Sequence, residues 1–264
     1  MYKDMQIIIP MTGNGSRFKE AGFKRLKPFI EVHGIPMIEW VTRMFPNCEE
    51  NFTFICRAEH LDELPYVKDI LTRIAPGSTI LRADNWIKLG PANDVLNFSN
   101  HIDDMSQVII CYCDFFMTWD FEKFLSAVSH VECDGAIPCY TGFHPHLCKE
   151  KNVYASCLVD DADHLVEIKE KYSWTEDKTL SRHSPGLYYF KTGAIMKSAL
   201  SSLIRSNETI GGEYYVSMAF NYLVEEGCKV WCPTNVEHFC QWGTPDDLND
   251  YLFWINSVRK QRDI

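Results

Sequence analysis

The first 115 residues alternate between short apolar runs and longer stretches in which apolar residues recur at helical spacing. The apolar runs lie at 7–9, 51–56, 78–81 and 107–114. The stretches with helical spacing lie at 36–44, 60–74 and 90–100. A parallel strand is covered on both faces and is therefore apolar throughout. This β-α-β-α-β-α-β order predicts an α/β fold with a mixed, mainly parallel, twisted sheet flanked by helices.

Beyond residue 130 the pattern favours strands over helices. The predicted strands lie at 134–140, 153–159, 165–169, 186–191 and 229–233. Helices are predicted near 193–205 and 213–226, and a last helix is capped by Thr244. The strand spacing predicts an antiparallel or mixed extension of the same sheet, and the polar segment Ser173–Ser184 is predicted to be a mobile surface loop. No linker or repeat divides residues 1–264, so we predict a single domain.

Composition narrows the class of protein. The chain has 264 residues with 46% hydrophobic and 23% charged positions, which is typical of a globular protein. A formal net charge of −10 argues against nucleic acid as a main partner. Eleven cysteines, many in apolar contexts, and no evident secretory signal predict buried reduced thiols in a cytoplasmic protein. No apolar run approaches the roughly 18 residues of a membrane span, so we expect no membrane partner.

The first candidate for chemistry is the loop that follows the opening strand. Gly13 and Gly15 allow a sharp turn whose N–H groups approach a ligand, and the cations Arg17 and Lys27 follow. Such a loop can hold phosphates. It lacks the Gly-Lys-Ser/Thr ending of a Walker A loop, and Phe18 replaces the third glycine of the dinucleotide fingerprint. From spacing alone, an ordinary βα turn with two solvated cations remains equally compatible with the pattern.

The second candidate is the carboxylate that ends the strand at 107–114. Ligands of open parallel sheets bind at the carboxyl ends of strands, where Asp114 and the segment Gly90–Asp94 also lie. A carboxylate at this position is costly unless it is paired or holds a metal ion, and Mg²⁺ is often held by one carboxylate plus substrate phosphates. The alternative for Asp114 is a turn or helix cap, which is the role that we predict for Asp120.

These motifs together resemble the nucleotidyltransferase family with a GT-A-like fold that makes nucleoside-diphosphate sugars and related activated compounds. The resemblance covers about residues 5–255. The matching elements, in chain order, are Gly13–Arg17, Leu26–Phe29, Gly34–Ile38, Gly90–Ala92, Cys113–Asp114, Glu167–Lys171, Pro185–Phe190, Glu213–Tyr215 and Trp242–Asp247.

The resemblance implies a Rossmann-like nucleotide-binding half at about 1–130 and an acceptor-binding half at about 131–264. It implies that an acceptor phosphate oxygen attacks the α-phosphorus of an NTP and that pyrophosphate leaves, with Arg17 and Lys27 as the catalytic cations. Mg²⁺ would bind Asp114. The implied nucleotide-binding residues are Pro10, Met11, Thr12, Gly13, Asn14, Gly15, Ser16, Gly90, Pro91 and Ala92. The implied acceptor-binding residues are Lys171, Gly186 and Glu213.

Two departures from the family pattern lie on the acceptor side. Gln241 stands where many sugar-using members carry a second magnesium-binding aspartate, so Asp114 acts alone or with a displaced acid such as Asp246. Tyr172 replaces the proline that follows the Glu-Lys pair. The ending Gln241–Pro245 resembles enzymes of capsule and surface-polysaccharide biosynthesis. Some of these use CTP and a phosphorylated non-sugar acceptor, so we expect CTP with either a sugar phosphate or a small non-sugar phosphate.

Two other functions stay open at this point. A GT-A glycosyltransferase that consumes a nucleotide sugar would require an Asp-x-Asp motif, whereas this chain has Cys113-Asp114-Phe115-Phe116. A sensor that binds nucleotide or sugar phosphate without catalysis is suggested by Gln241. The aromatic stretch Tyr251–Trp254 belongs either to the core or to the interface of a homo-oligomer.

Overall fold

The computed structural model describes residue 2 and residues 4–84, 86–150 and 152–262, with side chains described as far as 257. The strands of this part of the chain are β1 Met5–Met11, β2 Glu31–Val32, β3 Ile35–Pro36, β4 Phe52–Arg57, β5 Thr79–Ala83, β6 Gln107–Cys111, β7 Phe115–Thr118, β8 Gly135–Ala136, β9 Ser156–Val159, β10 Leu165–Lys169, β11 Arg182–His183, β12 Leu187–Phe190, β13 Val230–Trp231 and β14 His238–Gln241. The α-helices are α1 Ser16–Glu20, α2 Met37–Thr42, α3 Ala58–Glu63, α4 Pro65–Ile74, α5 Pro91–Asn97, α6 Phe121–Val131, α7 Gly193–Ser206, α8 Ala219–Glu225 and α9 Pro245–Arg262.

A seven-stranded sheet in the order β13-β8-β12-β6-β1-β4-β5 forms the centre of the fold. β1 pairs in parallel with β4 on one side and with β6 on the other, and β5 continues the parallel arrangement beside β4. β12 runs antiparallel to both β6 and β8. The mixed, mainly parallel sheet predicted from the sequence is confirmed.

Successive side chains of the central strands enter two different cores. Ile7 and Ile9 of β1 face the core formed with α2, α4 and α6, whereas Ile8 faces the core formed with α5, α7 and α8. β6 alternates in the same way, with Ile109 on the first side and Ile110 on the second. These residues are fully buried because helices cover both faces of the sheet, which explains why the strands are apolar throughout.

The topology fixes where a ligand can bind. The chain runs from β1 to β4 and β5 on one side of the sheet, and then returns to the other side of β1 as β6. The order of strands therefore reverses between β1 and β6. In open α/β sheets, the crevice outside the carboxyl ends of the strands at such a switch point is the usual binding position. The glycine loop after β1 and Asp114 after β6 meet at this position.

The second half departs from the predicted extension of the sheet. Only β8, β12 and β13 join the central sheet, whereas β9, β10 and β11 form a separate three-stranded sheet. β7 and β14, which the sequence did not predict, form a two-stranded ribbon. The predicted strand at 134–140 is reduced to β8, and the predicted helix at 213–226 begins only with a single turn at Val216–Met218 before α8.

The segment Ser173–Ser184 is not a surface loop throughout, so that prediction was wrong for its second part. It contains a 3-10 turn at Lys178–Leu180 and β11, and Ser181 is only 3% exposed. The Ser181 hydroxyl accepts hydrogen bonds from the N–H groups of Trp174 and Thr175, both at 3.1 Å. These bonds allow a polar segment to be buried.

Two predicted helix caps are confirmed. Asp120 caps α6 by accepting a hydrogen bond from the N–H group of Lys123, and Thr244 accepts one from the N–H group of Asp247 at the start of α9. All eleven cysteines are free, and most are buried. Within the described residues, no helix has the length and apolar character that crossing a membrane requires.

Candidate active site

A cavity of about 340 Å³ opens at the carboxyl ends of β1 and β6, within the range of small-molecule sites. Its walls combine the glycine loop, the turn at Lys27, the start of α5 and the segments that follow β6 and β14. The lining residues are Pro10, Met11, Thr12, Gly13, Asn14, Gly15, Ser16, Arg17, Phe18, Lys27, Pro28, Trp86, Lys88, Gly90, Pro91, Asp94, Tyr112, Cys113, Asp114, Glu213, Tyr215 and Gly243.

The glycine loop presents backbone donors to this cavity. Gly15 has a left-handed backbone with φ of 59°, and a Cβ atom there would lie 3.2 Å from Cβ of Lys27. The position therefore requires glycine for both its conformation and its close packing. The N–H groups from Gly13 to Arg17 donate to no acceptor among the described residues. They form a row of free donors of the kind that binds phosphate oxygens.

Lys27 and Asp114 form an ion pair in the cavity. Nζ of Lys27 lies 2.5 Å from Oδ2 of Asp114 and donates to the carbonyl oxygen of Gly243 at 2.7 Å. The two side chains are 16% and 25% exposed, so the pair is largely buried. An oxygen set that holds an ammonium group in this way also suits a hard cation such as Mg²⁺.

Arg17 is the cation of the site with no partner. It is exposed at the first turn of α1, and its guanidinium forms no ion pair or hydrogen bond with the residues that the structure describes. Burial and the charges of Glu213 and Glu170 raise the pKa of the Tyr215 hydroxyl to about 12, and the charge of Arg17 opposes this rise. Arg17 is therefore free to bind an anion that enters beside the loop.

One wall of the cavity is built around Trp86. Its indole N–H donates to Oδ1 of Asp94 at 3.0 Å, and the guanidinium of Arg57 lies 4.6 Å from its ring centre. Arg57 also donates to Asn14, and Thr12 donates to Oδ2 of Asp94. Burial raises the pKa of Asp94 to about 6, and the hydrogen bonds from Thr12 and Trp86 oppose this change. These bonds join the glycine loop to a flat aromatic surface.

Gly90 brings two distant segments together at the same wall. It has a φ of 96°, and a Cβ atom there would lie 2.6 Å from the backbone nitrogen of Tyr214. Tyr214 donates to the carbonyl oxygen of Leu89 at 2.7 Å, and its own carbonyl oxygen accepts from the N–H group of Ala92 at 3.1 Å. Glycine at this position is therefore required for contact between the two halves of the chain.

Next to Gly90, the cavity is bordered by a wall of aromatic and charged groups around Glu213 and Tyr215. Glu213 pairs with Lys88 at 2.7 Å. Lys171 has a left-handed backbone with φ of 55°, and its ammonium lies 5.6 Å from the ring centre of Tyr215. Gly186 lies below the cavity, where a Cβ atom would be 2.8 Å from the ring of Tyr112.

Glu170, beside this wall, has a carboxyl group whose pKa is raised. Burial raises the pKa of its carboxyl group to about 7, while the hydrogen bond from the hydroxyl of Ser217 and the charge of Lys171 oppose that rise. The residue as a whole is partly exposed, so its carboxyl group is more enclosed than the rest of the side chain.

The structure brings most of the predicted site residues around one cavity. Ala92, Lys171, Gly186, Gln241 and Asp246 are the predicted residues that do not line it. Ala92 is buried in the core, Lys171 is exposed with its ammonium near the ring of Tyr215, and Gly186 packs against the ring of Tyr112. Asp94, which belongs to the candidate segment Gly90–Asp94, also lines the cavity. The lining residues that sequence reasoning did not assign to the site include Trp86, Lys88, Tyr112, Tyr215 and Gly243. Of these, Tyr215 and Gly243 lie within motifs that the sequence analysis names, whereas Trp86 and Lys88 carry no such signal.

The segment after β14 closes the site. The N–H group of Trp242 donates to the carbonyl oxygen of Asp114 at 3.1 Å, which places Gly243 against Lys27. Gln241 is buried and its amide donates to Oδ1 of Asp247 at 3.1 Å. Asp246 is exposed on α9, whereas Asp247 is buried at 3% exposure.

Solved structures share this fold. A nucleoside-diphosphate-sugar pyrophosphorylase from Vibrio cholerae RC9 superposes with a TM-score of 0.75 and 21% identity, over 94% of this chain and 99% of that chain. A Bacillus anthracis protein named as a glucose-1-phosphate thymidylyltransferase, solved with sucrose, superposes with a TM-score of 0.71 and 16% identity, over 94% of this chain and 93% of that chain. The inositol-1-phosphate CTP transferase of T. maritima superposes with a TM-score of 0.67 and 14% identity, over 97% of each chain. The fold is that of the nucleotidyltransferases.

A family model gives the narrower assignment. Residues 7–183, more than half of the chain, match the MobA-like NTP transferase domain. The chain belongs to this family of NTP transferases. No curated protein matches it significantly.

Proposed function

We propose that the protein transfers a nucleoside monophosphate from an NTP, with CTP as the favoured donor, to a phosphorylated small molecule, and releases pyrophosphate. The observation that carries this proposal is the meeting of Arg17, Lys27 and Asp114 with the free N–H groups of the glycine loop around one cavity. Cations and backbone donors of this kind bind a polyphosphate, and family membership supplies the reaction class.

The proposed reaction requires no nucleophile from the protein. An oxygen of the acceptor phosphate forms a bond to the α-phosphorus, and the bond from the α-phosphorus to the bridging oxygen of pyrophosphate breaks. Catalysis then consists of positioning the two phosphates and stabilising charge on the leaving group. Arg17 is suited to the second task because it is exposed, beside the loop and without a partner. Lys27, which lines the cavity, is proposed to bridge the acceptor phosphate and the α-phosphate of the NTP.

We propose Mg²⁺ as the cofactor and Asp114 as its ligand. The fit rests on the donor set, since the Asp114 carboxylate already holds a cationic group together with the carbonyl oxygen of Gly243. When bound, Mg²⁺ would neutralise phosphate charge and polarise the α-phosphate. Lys27 must leave Asp114 to contact phosphate, so the ion pair keeps the ammonium close to its proposed working position.

The choice of CTP rests on resemblance and on the aromatic wall. Trp86 offers a flat surface for a base, and Gly90 and Pro91 line the same cavity. Two of the three structural neighbours are named for pyrimidine nucleotides, as a CTP transferase and a thymidylyltransferase. These likenesses support a pyrimidine donor.

The acceptor is proposed to bind between the glycine loop and the wall formed by Tyr215 and Glu213. Lys88 and Lys171 stand at this side and supply positive charge for a phosphate. The neighbours are named for sugar and inositol phosphates, which supports a small phosphorylated polyol or sugar as acceptor. The ending at Gln241 supports a role in surface-polysaccharide biosynthesis.

The test is a matrix of the four NTPs against glucose 1-phosphate, inositol 1-phosphate and non-sugar phosphates, with Mg²⁺, read as pyrophosphate release. We expect release only when an NTP and a phosphorylated acceptor are both present. Arg17→Ala is expected to lower turnover at least 100-fold, since one charged donor to a developing anion contributes on the order of 10²–10³. Lys19→Ala is the matched control, because Lys19 is an exposed cation of the same helix that does not line the cavity.

Two other outcomes would overturn the proposed function, and a third would overturn the role of Arg17. Release of a nucleoside diphosphate from a nucleotide sugar would assign a glycosyltransferase. Tight nucleotide binding without pyrophosphate across the whole matrix would assign a sensor. Wild-type turnover by Arg17→Ala would remove the catalytic role of that residue.

A further inference from the structure

We propose that Asp247 supplies the second carboxylate of the cation site, beside Asp114, in place of the aspartate that many family members carry at the position of Gln241. This inference rests on the proposed function, which requires a divalent cation at Asp114. It concerns a residue that the sequence motif presents as part of a helix start.

Only one of the two carboxylate oxygens of Asp247 accepts hydrogen bonds from the described residues. Its Oδ1 accepts hydrogen bonds from the ammonium of Lys149 at 2.9 Å and from the amide of Gln241 at 3.1 Å. Its Oδ2 is buried and has no hydrogen-bond partner among the described residues. Lys149 and Gln241 therefore hold the carboxylate in one orientation and leave Oδ2 available.

The free oxygen faces the catalytic carboxylate across Gly243. Oδ2 of Asp247 and Oδ2 of Asp114 lie 3.7 Å and 3.8 Å from the position that a Cβ atom on Gly243 would take. The hydroxyl of Tyr154 lies 3.2 Å from the same position. Since residue 243 has no side chain, the two carboxylates and this hydroxyl share one small space.

A buried, unpartnered carboxylate oxygen is costly unless something binds it. The amide oxygen of Gln241 is also buried without a partner among the described residues, so two oxygens at this point lack a donor. A hard cation prefers such oxygen ligands, and Mg²⁺ is commonly held by one or two carboxylates together with substrate phosphates. The exposed Asp246 points to no such space, which favours Asp247 as the displaced acid.

A purely structural role is the alternative, in which Asp247 only anchors Lys149. That role would use Oδ1 alone and would leave the orientation of Oδ2 without a purpose. Lys149 has a second partner in Asp250, which is 3.2 Å away and 51% exposed. Asp250 therefore provides a matched control, since it pairs with the same lysine from the same helix at an exposed position.

The experiment measures Mn²⁺ binding to the full chain by electron paramagnetic resonance, with Mn²⁺ alone as the probe. We expect Asp247→Asn to weaken Mn²⁺ affinity at least tenfold, as loss of a metal-site partner does, and Asp250→Asn to leave it within twofold of wild type. Lys149→Met removes the ion pair but keeps the carboxylate, and we expect it to retain Mn²⁺ affinity. Equal binding by Asp247→Asn and the wild type, or no binding by the wild type, would overturn the inference.

A second variant tests the same site without removing a carboxylate, in case Asp247→Asn fails to fold. Gly243→Ala places a methyl group in the space between the carboxylates, where its backbone is not left-handed. We expect it also to weaken Mn²⁺ binding at least tenfold, and unchanged binding would count against the site. Pyrophosphate release by the wild type tests the proposed function separately. Mn²⁺ binding that depends on Asp247 without any release would refute the function and leave the cation site in place.

Discussion

Replacing Lys27 by methionine should change cation binding and turnover in opposite directions. In the free protein, the ammonium of Lys27 lies 2.5 Å from Oδ2 of Asp114 and thus competes with any metal ion for that oxygen. Methionine keeps an unbranched stem, which preserves packing near the ring of Phe18, 5.5 Å from Nζ. The substitution therefore removes the charge with little loss of shape.

The size of both effects follows from the burial of the pair. The side chains are 16% and 25% exposed, so the interaction exceeds that of an exposed pair, which contributes about 0–1 kcal/mol. We expect loss of the competing ammonium to raise Mn²⁺ affinity roughly tenfold, equivalent to about 1.4 kcal/mol. Loss of a positive group beside the reacting phosphates should lower turnover by about 10²–10³-fold.

The assay compares Mn²⁺ affinity by electron paramagnetic resonance with pyrophosphate release for wild type and Lys27→Met. Lys19→Met is the control, because Lys19 is exposed and does not line the cavity. Unchanged or weaker Mn²⁺ binding by Lys27→Met would refute the idea that the ammonium occupies the cation's position. Undiminished turnover would refute its catalytic role.

Two further predictions concern the glycine loop and Glu170. Gly15→Ala should destabilise the fold by about 1–2 kcal/mol in thermal unfolding, because the backbone of Gly15 is left-handed and a Cβ atom there would approach Lys27. Gly13→Ala is the control and should not destabilise the fold, since the space around Gly13 is open. Equal effects of the two substitutions would contradict the prediction. Burial raises the pKa of Glu170 in the folded protein to about 7, above the ordinary value of 4.5 for a glutamate. The contribution of Glu170 to stability is therefore present below pH ~4.5 and is lost as the pH rises to ~7. Glu170→Gln should therefore exceed the wild type in Tm by a few °C at pH 8 but not at pH 4.5 in calorimetry, and a pH-independent difference would count against the raised pKa.

The strand β1, its glycine loop and the cations that follow could be predicted because their determinants are local. Ile7, Ile8 and Ile9 are apolar on both faces, and the strand they form is followed at once by its loop and cations. A glycine at position 15 indicates by itself that a left-handed backbone is possible there, and Asp114 lies shortly after the end of β6. Short-range patterns of this kind define both the strand and the side chains at its carboxyl end.

The long-range contacts of the site could not be predicted in the same way, because their partners are distant in sequence. Thr12 binds Asp94, 82 residues away, and Lys27 contacts Gly243 across 216 residues. Ser181 is polar, so its segment is typical of a loop, yet hydrogen bonds to the neighbouring backbone allow it to be buried. Neither kind of pairing leaves a periodic pattern in the sequence.

The two-stranded ribbon explains how these distant parts form one site. β14 pairs with β7, so that Gln241 lies opposite Phe115 and the next residue, Trp242, bonds to the carbonyl oxygen of Asp114. The residue at position 241 is thereby held beside Asp114. If the proposed cation binds a second carboxylate, glutamine at 241 cannot supply it, and Asp247 of α9 is the buried acid whose unpartnered oxygen lies near Gly243. Glutamine at position 241 is therefore compatible with the proposed cation site, because its amide donates a hydrogen bond to Asp247 and holds that carboxylate in place.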